Sequence, residues 1–346
     1  MQIADRQIGI EHRTFVIAEI GVNHNGSVRR ALELVDLAAA AGADAVKLQL
    51  FSADRLMNDA AQFASYQKSR VDAASPAAML RQYELTTLDT LRVVDAIRNR
   101  GLVPIATPFS LDDVDAVVSL NLPAIKIASP DLVNRPLLSR AAETGLPMLV
   151  STGAATMGEV SIATEWLTDL QATFALLHCV SSYPTTLADA NLRWIGELAR
   201  FGCTVGYSDH TTEPLAGALA VASGASIVEK HLTYDRGAAG PDHAASADPV
   251  GFAQYVNAIR LADTVRGAAG KRVLDCEQDV RKVSRQSLVI ARALRAGERV
   301  GATDLIVQRP GVGIPAAQWP IAIGKTVRRD VPAGTMLSWE MLSDAA

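Results

Sequence analysis

The chain has 346 residues, 49% apolar and 20% charged, with a mean hydropathy of +0.15. That length predicts about two domains, and that composition excludes wholesale disorder. The 33 Lys and Arg against 37 Asp and Glu leave a net charge of −4, which argues against nucleic acid or an anionic membrane as main partner but permits a locally basic pocket. Cys179, Cys203 and Cys276 lack metal-ligand spacing and read as reduced thiols in a cytoplasmic protein. The N-terminal MQIADRQIGIEHRTF carries charges where a secretory signal needs an apolar run. Every long apolar stretch is interrupted before the roughly 20 residues of a membrane span.

From residue 15 to about 235 one pattern recurs, a short apolar run ending in polar residues and then a helical segment rich in Ala and Leu. The runs are FVIAEIG (15–21), DAVKLQL (44–50), VPIATPF (103–109), AIKIAS (124–129), PMLVST (147–152), FALLHCVS (174–181), TVGYSDH (204–210) and SIVEKHLT (226–233). In the segment after the first run, Ser27 is the expected N-cap and Gly42 the expected C-cap. TLDTLRVVDAIRNRG and TMGEVSIATEWLTDL share its periodicity. Strand–helix alternation with continuous apolar strands predicts a parallel sheet, and eight units over roughly 250 residues predict an α/β fold closed as a (β/α)₈ TIM barrel. A doubly wound sheet is the alternative, but GVNHNGS after the first strand lacks its phosphate-binding glycine pattern.

The barrel is expected over residues 1–272 and a charged connector over 273–286. Residues 287–346 read as a small β-rich domain, with short apolar pieces between AGE, RPGVG, IPAA and PAG turns. Its core is thin, so it is expected to pack against something larger.

Barrel enzymes take their catalytic groups from the C-terminal strand ends. Here those ends carry Glu19, Lys47, Gln49, Thr107, Lys126, Ser129, Ser151, Ser181, Tyr183, Ser208, Asp209, His210, Glu229 and His231. Residues two apart on a strand share a face, pairing Lys47 with Gln49 and Glu229 with His231. A single inward charge reads equally well as a structural ion pair; two lysines, two glutamates and two histidines at one mouth read as a site. His210 and His231 end neighbouring strands, where they either hold one divalent cation with open positions or form hydrogen bonds on the rim. His178, inside an apolar strand, reads as a satisfied core residue, and His243 is the one loop histidine near the mouth. Lys47 and Lys126, with the hydroxyls of Thr107, Ser129, Ser151 and Ser208, suit a phosphate and a carboxylate. A Schiff-base aldolase would also place a lysine there.

In this order, IAEIGVNHNGS, AVKLQLF, ATPFS, KIASPDLVNRPLL, STGAATMGEV, LLHCVSSYP, VGYSDHT, EKHLTYDR and GPDHAAS resemble the sialic acid synthases, which condense phosphoenolpyruvate with an N-acylated amino sugar. RQSLVIARALRAGE, QRPGVGIP and IGKTVRRDVPAG resemble that family's C-terminal antifreeze-like (SAF) domain, so the likeness spans essentially the whole chain. It implies a nine-carbon 2-keto-3-deoxy acid product, with His210 and His231 as ligands of Mn²⁺ or alternatively Mg²⁺ or Co²⁺. It makes Lys47, Thr107, Lys126, Ser129, Ser151 and Ser208 the phosphoenolpyruvate-binding groups. Glu19, Gln49 and Tyr183 would contact or orient the sugar, and Glu229 would handle protons. It also implies a domain-swapped homodimer in which Arg309 of QRPGVG reaches the other subunit's pocket. Pro130 stands where many members have Gly, and Ser181 where some have Asn, so one phosphate contact differs. ASPAAMLRQYEL lacks an Asn found in some members, and the segment before Arg285 lacks an aromatic residue. The resemblance therefore leaves the sugar open between N-acetylmannosamine, its 6-phosphate and 2,4-diacetamido-2,4,6-trideoxy sugars.

Overall fold

The computed structural model describes residues 1–58, 60–63 and 73–344, in two compact units, Met1–Ala268 and Ala269–Ala346. In the first, eight parallel strands close into a barrel. They are β1 (Phe15–Gly21), β2 (Ala45–Leu50), β3 (Val103–Pro108), β4 (Ile125–Ile127), β5 (Met148–Ser151), β6 (Phe174–Cys179), β7 (Thr204–Asp209) and β8 (Ile227–His231). Each lies where an apolar run predicts one, and β8 pairs back onto β1 through Ile227↔Phe15 to His231↔Glu19.

The connecting helices follow their local chemistry. Helix α1 (Val28–Ala40) starts at Ser27, whose side chain accepts from the Arg30 N–H. Its C-cap is Ala41, one residue before the expected Gly42, which takes the left-handed φ of 81° that releases the chain into β2. Helices α2 (Thr87–Asn99), α3 (Leu111–Ser119), α4 (Arg135–Glu143) and α5 (Met157–Asp169) follow β2 to β5, and a capping box of Thr156 and Glu159 opens the last. Helices α6 (Trp194–Ala199), α7 (Ala216–Ala222) and α8 (Pro249–Arg266) complete the ring.

Strand periodicity sorts the barrel interior into two layers. The lower layer is apolar, with Phe15, Ile17, Ala45, Val103, Ile105, Leu149, Ala175, Leu177 and Ile227 forming one buried cluster with Ile3 and Ile8. These last two belong to a hairpin, Gln2–Ile3 against Arg6–Gln7, that the charged N-terminus did not suggest. Two residues further along the strands the interior turns polar at Glu19, Lys47, Thr107, Lys126, Ser151, Ser208 and Glu229, all buried. The apolar layer is thus the floor of a polar pit. A larger cluster, including Val16, Ala18, Val46, Val150 and Val228 from the outward strand faces, packs against Leu34, Val93, Val114 and Phe252 of the helices.

The second unit is a loop-rich β domain. Ser287–Ile290 pairs antiparallel with Leu305–Gln308, and Thr326–Val327 with Leu342–Ser343. Its own small core includes Leu288, Ile290, Leu305, Val327 and Leu337. Among the described residues, no helix is long and apolar enough to cross a membrane.

Gly206 marks where the barrel is tightest: a Cβ there would lie 2.6 Å from the Ile227 carbonyl oxygen and 3.1 Å from Leu177 Cγ. Backbone cannot yield as a side chain can, so Gly206→Ala should cost about 1–3 kcal/mol. Urea unfolding checks this, and an unshifted midpoint at constant slope would contradict it.

Candidate active site

The pit opens into a cavity of about 510 Å³ lined by Lys47, Gln49, Thr107, Lys126, Ser129, Ser151, Ser181, Tyr183, Ser208, His210, Glu229 and His231. Glu19, Asp209 and Arg309, all expected, do not line it; Asp209 faces outward, ion-paired to Lys230. Glu19 is fully buried; its carboxylate lies 2.9 Å from Lys47 Nζ and accepts from Gln49 Nε2 at 3.1 Å. Backbone from the irregular register between Glu19 and Gly21 lies against it, since a Cβ on Gly21 would sit 2.4 Å from Glu19 Oε1. Glu19 is therefore placed to act through Lys47 and Gln49. Arg309 belongs to the second unit, where it is exposed.

Four charges share the pit. Lys47 Nζ lies 3.4 Å from Glu229 Oε2 and donates to Thr107 Oγ1 at 3.1 Å. Lys126 Nζ lies 3.9 Å from Glu229 Oε1 and donates to Ser151 Oγ at 2.5 Å, while Ser208 Oγ donates to Glu229 Oε1 at 2.8 Å. Burial disfavours every one of these charges, and their mutual contacts decide which survive. Burial raises the Glu19 carboxyl to about 7, with Lys47 only partly opposing it. Burial also pushes Glu229 up, but Lys126, Lys47 and Ser208 outweigh it and hold Glu229 ionised. Lys47 overcomes its burial through Glu19 and Glu229 and is raised. Lys126 is lowered by burial to about 8 despite Glu229. An anion entering the cavity meets the two lysines, while the raised Glu19 carboxyl lies behind Lys47.

Beside the lysines is a cradle of small polar groups. The Gly153 N–H donates to Ser129 Oγ at 3.0 Å. A Cβ on Gly153 would lie 2.3 Å from Ser181 Oγ, 2.8 Å from Ser129 Oγ and 3.0 Å from Cys179 Sγ. Neither Gly153 nor Cys179 is an expected site residue; the Gly of STG, two residues past the end of β5, is the available signal. The lining also has an apolar portion, Val22, Phe51, Leu56, Met57, Met79, Leu80 and Phe109, in which Val22, Phe51, Met79 and Leu80 pack together. These residues come from connections without strand or long-helix periodicity, so nothing in the sequence aimed them at the site.

The two rim histidines come together, with ring centroids 5.5 Å apart and the Tyr183 ring 4.0 Å from His210, tilted by 35°. Nδ1 of His210 is 2.8 Å from the Val180 carbonyl, which only accepts, so Nδ1 carries the proton and Nε2 the lone pair of the neutral ring. His231 is kept neutral by burial, then by His210 and Lys47, and its buried Nδ1 has no hydrogen-bond partner. His210 resists its burial and is raised by the Cys179 thiol and the Val180 carbonyl. Among the described residues no group of three or more His, Cys, Asp or Glu is arranged to hold a metal ion. The protein thus offers two imidazoles, one with a buried Nδ1 that makes no hydrogen bond and lies 3.8 Å from Asp242 Oδ2, in a cavity with room for other ligands, which fits an open divalent-cation site. His178 is buried, with its Nε2 2.7 Å from the Ala190 carbonyl oxygen. His243 is buried against Thr233 Oγ1 at 2.6 Å and Asn25 Oδ1 at 3.0 Å.

Clustered polar side chains and a histidine pair at the C-terminal mouth of a closed barrel are the layout of a (β/α)₈ enzyme's active site. Comparison with known proteins narrows the class: residues 34–271 match the NeuB family and residues 285–343 a SAF domain, and the chain is an enzyme of the NeuB family. It is 38% identical over 333 residues to the N,N'-diacetyllegionaminic acid synthase of Legionella pneumophila, covering 94% of each chain. It is 30% identical to the N-acetylneuraminate-9-phosphate synthase of Mus musculus, covering 91% of this chain and 88% of that one. The crystal structure of an N-acetylneuraminic acid synthetase from Leptospira borgpetersenii in complex with citrate matches at TM-score 0.74 and 31% identity, covering 81% of this chain and 94% of that one.

Gly153→Ala tests the cradle. Its methyl would displace the Ser181 and Ser129 hydroxyls, so affinity for inorganic sulfate should fall at least about tenfold, roughly 1.4 kcal/mol, in protein shown to be folded by circular dichroism. Unchanged sulfate binding by calorimetry would place the anion elsewhere.

Proposed function

We propose that the chain condenses phosphoenolpyruvate with an open-chain acetamido hexose, forming a nine-carbon 2-keto-3-deoxy acid and inorganic phosphate. The observation that carries this reading is one cavity holding two lysines with a hydroxyl cradle, two imidazoles and an apolar wall. Lys126, Lys47 and the Ser129–Gly153–Ser181 cradle would hold the phosphate and carboxylate of phosphoenolpyruvate. Its C3 then bonds to the sugar's C1, and water adds at C2 before the C2–O(phosphate) bond breaks. Of the two water protons, one ends on the former aldehyde oxygen and the other on phosphate. Glu229, ionised and with Oε2 accepting no hydrogen bond, is the group suited to take the water's proton. The lysines lie where negative charge develops and need no reorganisation to stabilise it.

His210 and His231 would hold a divalent cation, Mn²⁺, Mg²⁺ or Co²⁺. Such an ion would polarise the sugar's carbonyl oxygen.

For the acceptor, the apolar wall suits methyl groups, those of acetamido substituents and of a 6-deoxy carbon. The 38% identity to a diacetyllegionaminic acid synthase points the same way. A 2,4-diacetamido-2,4,6-trideoxy hexose is therefore the favoured acceptor, ahead of N-acetylmannosamine and its 6-phosphate. Phosphate release with these three sugars, with and without EDTA, tests the reading. The trideoxy sugar should give the highest kcat/KM and the chelator should abolish turnover. Chelator-insensitive turnover would remove the metal, and silence with every sugar would contradict the reaction.

The lowered pKa of Lys126 also suits a Schiff-base aldolase. Borohydride with pyruvate would trap that adduct; an unmodified enzyme at full activity eliminates it.

By the same proposal, the enzyme is a homodimer whose Arg309 completes the sugar site of the other subunit. Arg309→Ala should raise the KM for sugar at least about tenfold, roughly 1.4 kcal/mol, and leave that for phosphoenolpyruvate within about twofold. Equal losses in both would show Arg309 elsewhere.

A further inference from the structure

One buried ion pair near the site faces away from the cavity. On β7 and β8, Ser208 and Glu229 point into the barrel, so their neighbours Asp209 and Lys230 point outward. They are register partners, with Lys230 Nζ 3.0 Å from Asp209 Oδ2 and both side chains almost wholly buried. Neither lines the active-site cavity. Lys230 Nζ also donates to the Thr211 carbonyl, and Asp209 Oδ1 accepts the Thr211 N–H at 2.7 Å. The Tyr255 ring of α8 closes over the ammonium, 5.2 Å from Nζ to the ring centroid.

The consequence lies in the sequence positions. His210 sits between Asp209 and Thr211, and His231 directly follows Lys230. Lys230 therefore ties the strand that ends in His231 to the residues on both sides of His210, the Asp209 side chain and the Thr211 carbonyl. We infer that the Asp209–Lys230 pair is a positioning device that fixes the separation of His210 and His231 for joint cation binding, with no substrate contact of its own. Buried ion pairs rarely add net stability, and their best-attested use is to fix register. Outer groups that orient metal-binding histidines typically govern metal affinity by about 10–100-fold.

This inference rests on the divalent-cation reading above, and the test separates the two. Mn²⁺ is titrated into wild-type protein, Lys230→Met and the double variant Asp209→Asn/Lys230→Met. Free Mn²⁺ is followed by electron paramagnetic resonance, with no turnover required. The double variant keeps an acceptor for the Thr211 N–H and leaves no buried unpaired carboxylate, so it guards against a single variant that fails to fold. Metal-free phosphoenolpyruvate affinity is measured by calorimetry on the same samples.

The expected result is tight Mn²⁺ binding by wild type, at least about tenfold weaker binding by the folded variants, and phosphoenolpyruvate affinity within about twofold. An ion pair serving stability alone would lower the unfolding midpoint and leave Mn²⁺ affinity unmoved. That outcome overturns the inference while the cation reading stands. No Mn²⁺ binding by wild type would overturn both.

Discussion

Everything at the mouth of this barrel depends on four buried charges that would be costly anywhere else. Glu19, Lys47, Lys126 and Glu229 replace the branched apolar side chains that usually fill a barrel's interior layers. Removing such groups from water costs several kcal/mol each, and mutual attraction returns this only where geometry is good. Here Lys47 bridges both carboxylates, at 2.9 and 3.4 Å, and Ser151, Thr107 and Ser208 satisfy further hydrogen bonds. The apolar floor beneath and the helix-facing core outside supply the burial that tolerates the cluster. Its residual imbalance is the useful part: burial leaves Glu19 raised and Lys126 lowered. An incoming anion stabilises the ammonium form of Lys126 and so does what no protein group nearby does completely.

The histidine pair is a second consequence of the same two strands. Glu229 and His231 share the inner face of β8, and Ser208 that of β7, so the Glu229–Ser208 end of the charge cluster and the imidazoles cannot move independently. The outward Asp209–Lys230 pair fastens those strand ends from behind. One element of wall thus carries Ser208 and Glu229 inside, the histidines at its rim and the Asp209–Lys230 pair outside.

Much of this was legible because strand geometry has a period of two. Lys47 with Gln49, and Glu229 with His231, could be placed on one face from spacing alone, and the structure puts all four in the cavity wall. The closed sheet was legible from eight apolar runs. The placement of Glu19 was not, since an irregular register and the close backbone of Gly21 remove it from the cavity, and spacing carries no sign of either. The N-terminal hairpin was hidden because only Ile3 and Ile8 of a charged stretch contribute to the floor. The apolar wall comes from Phe51, Leu56, Met57, Met79 and Leu80, on connections whose direction depends on tertiary packing. Periodicity reads what a strand aims; it does not read what a loop folds back.

The central claim is that the buried charge cluster is completed by an anionic substrate through the ammonium of Lys126. Its pKa is lowered to about 8 by burial, so the free protein carries that cation below pH 8 and loses it above. Calorimetric phosphoenolpyruvate affinity measured from pH 7 to about 9.5 tests this directly, because the ligand's own charge is constant there. The account predicts affinity falling as pH rises through about 8, approaching tenfold per pH unit, with proton uptake on binding visible as a buffer-dependent enthalpy. Affinity that is flat across this range, with no proton uptake, would contradict it.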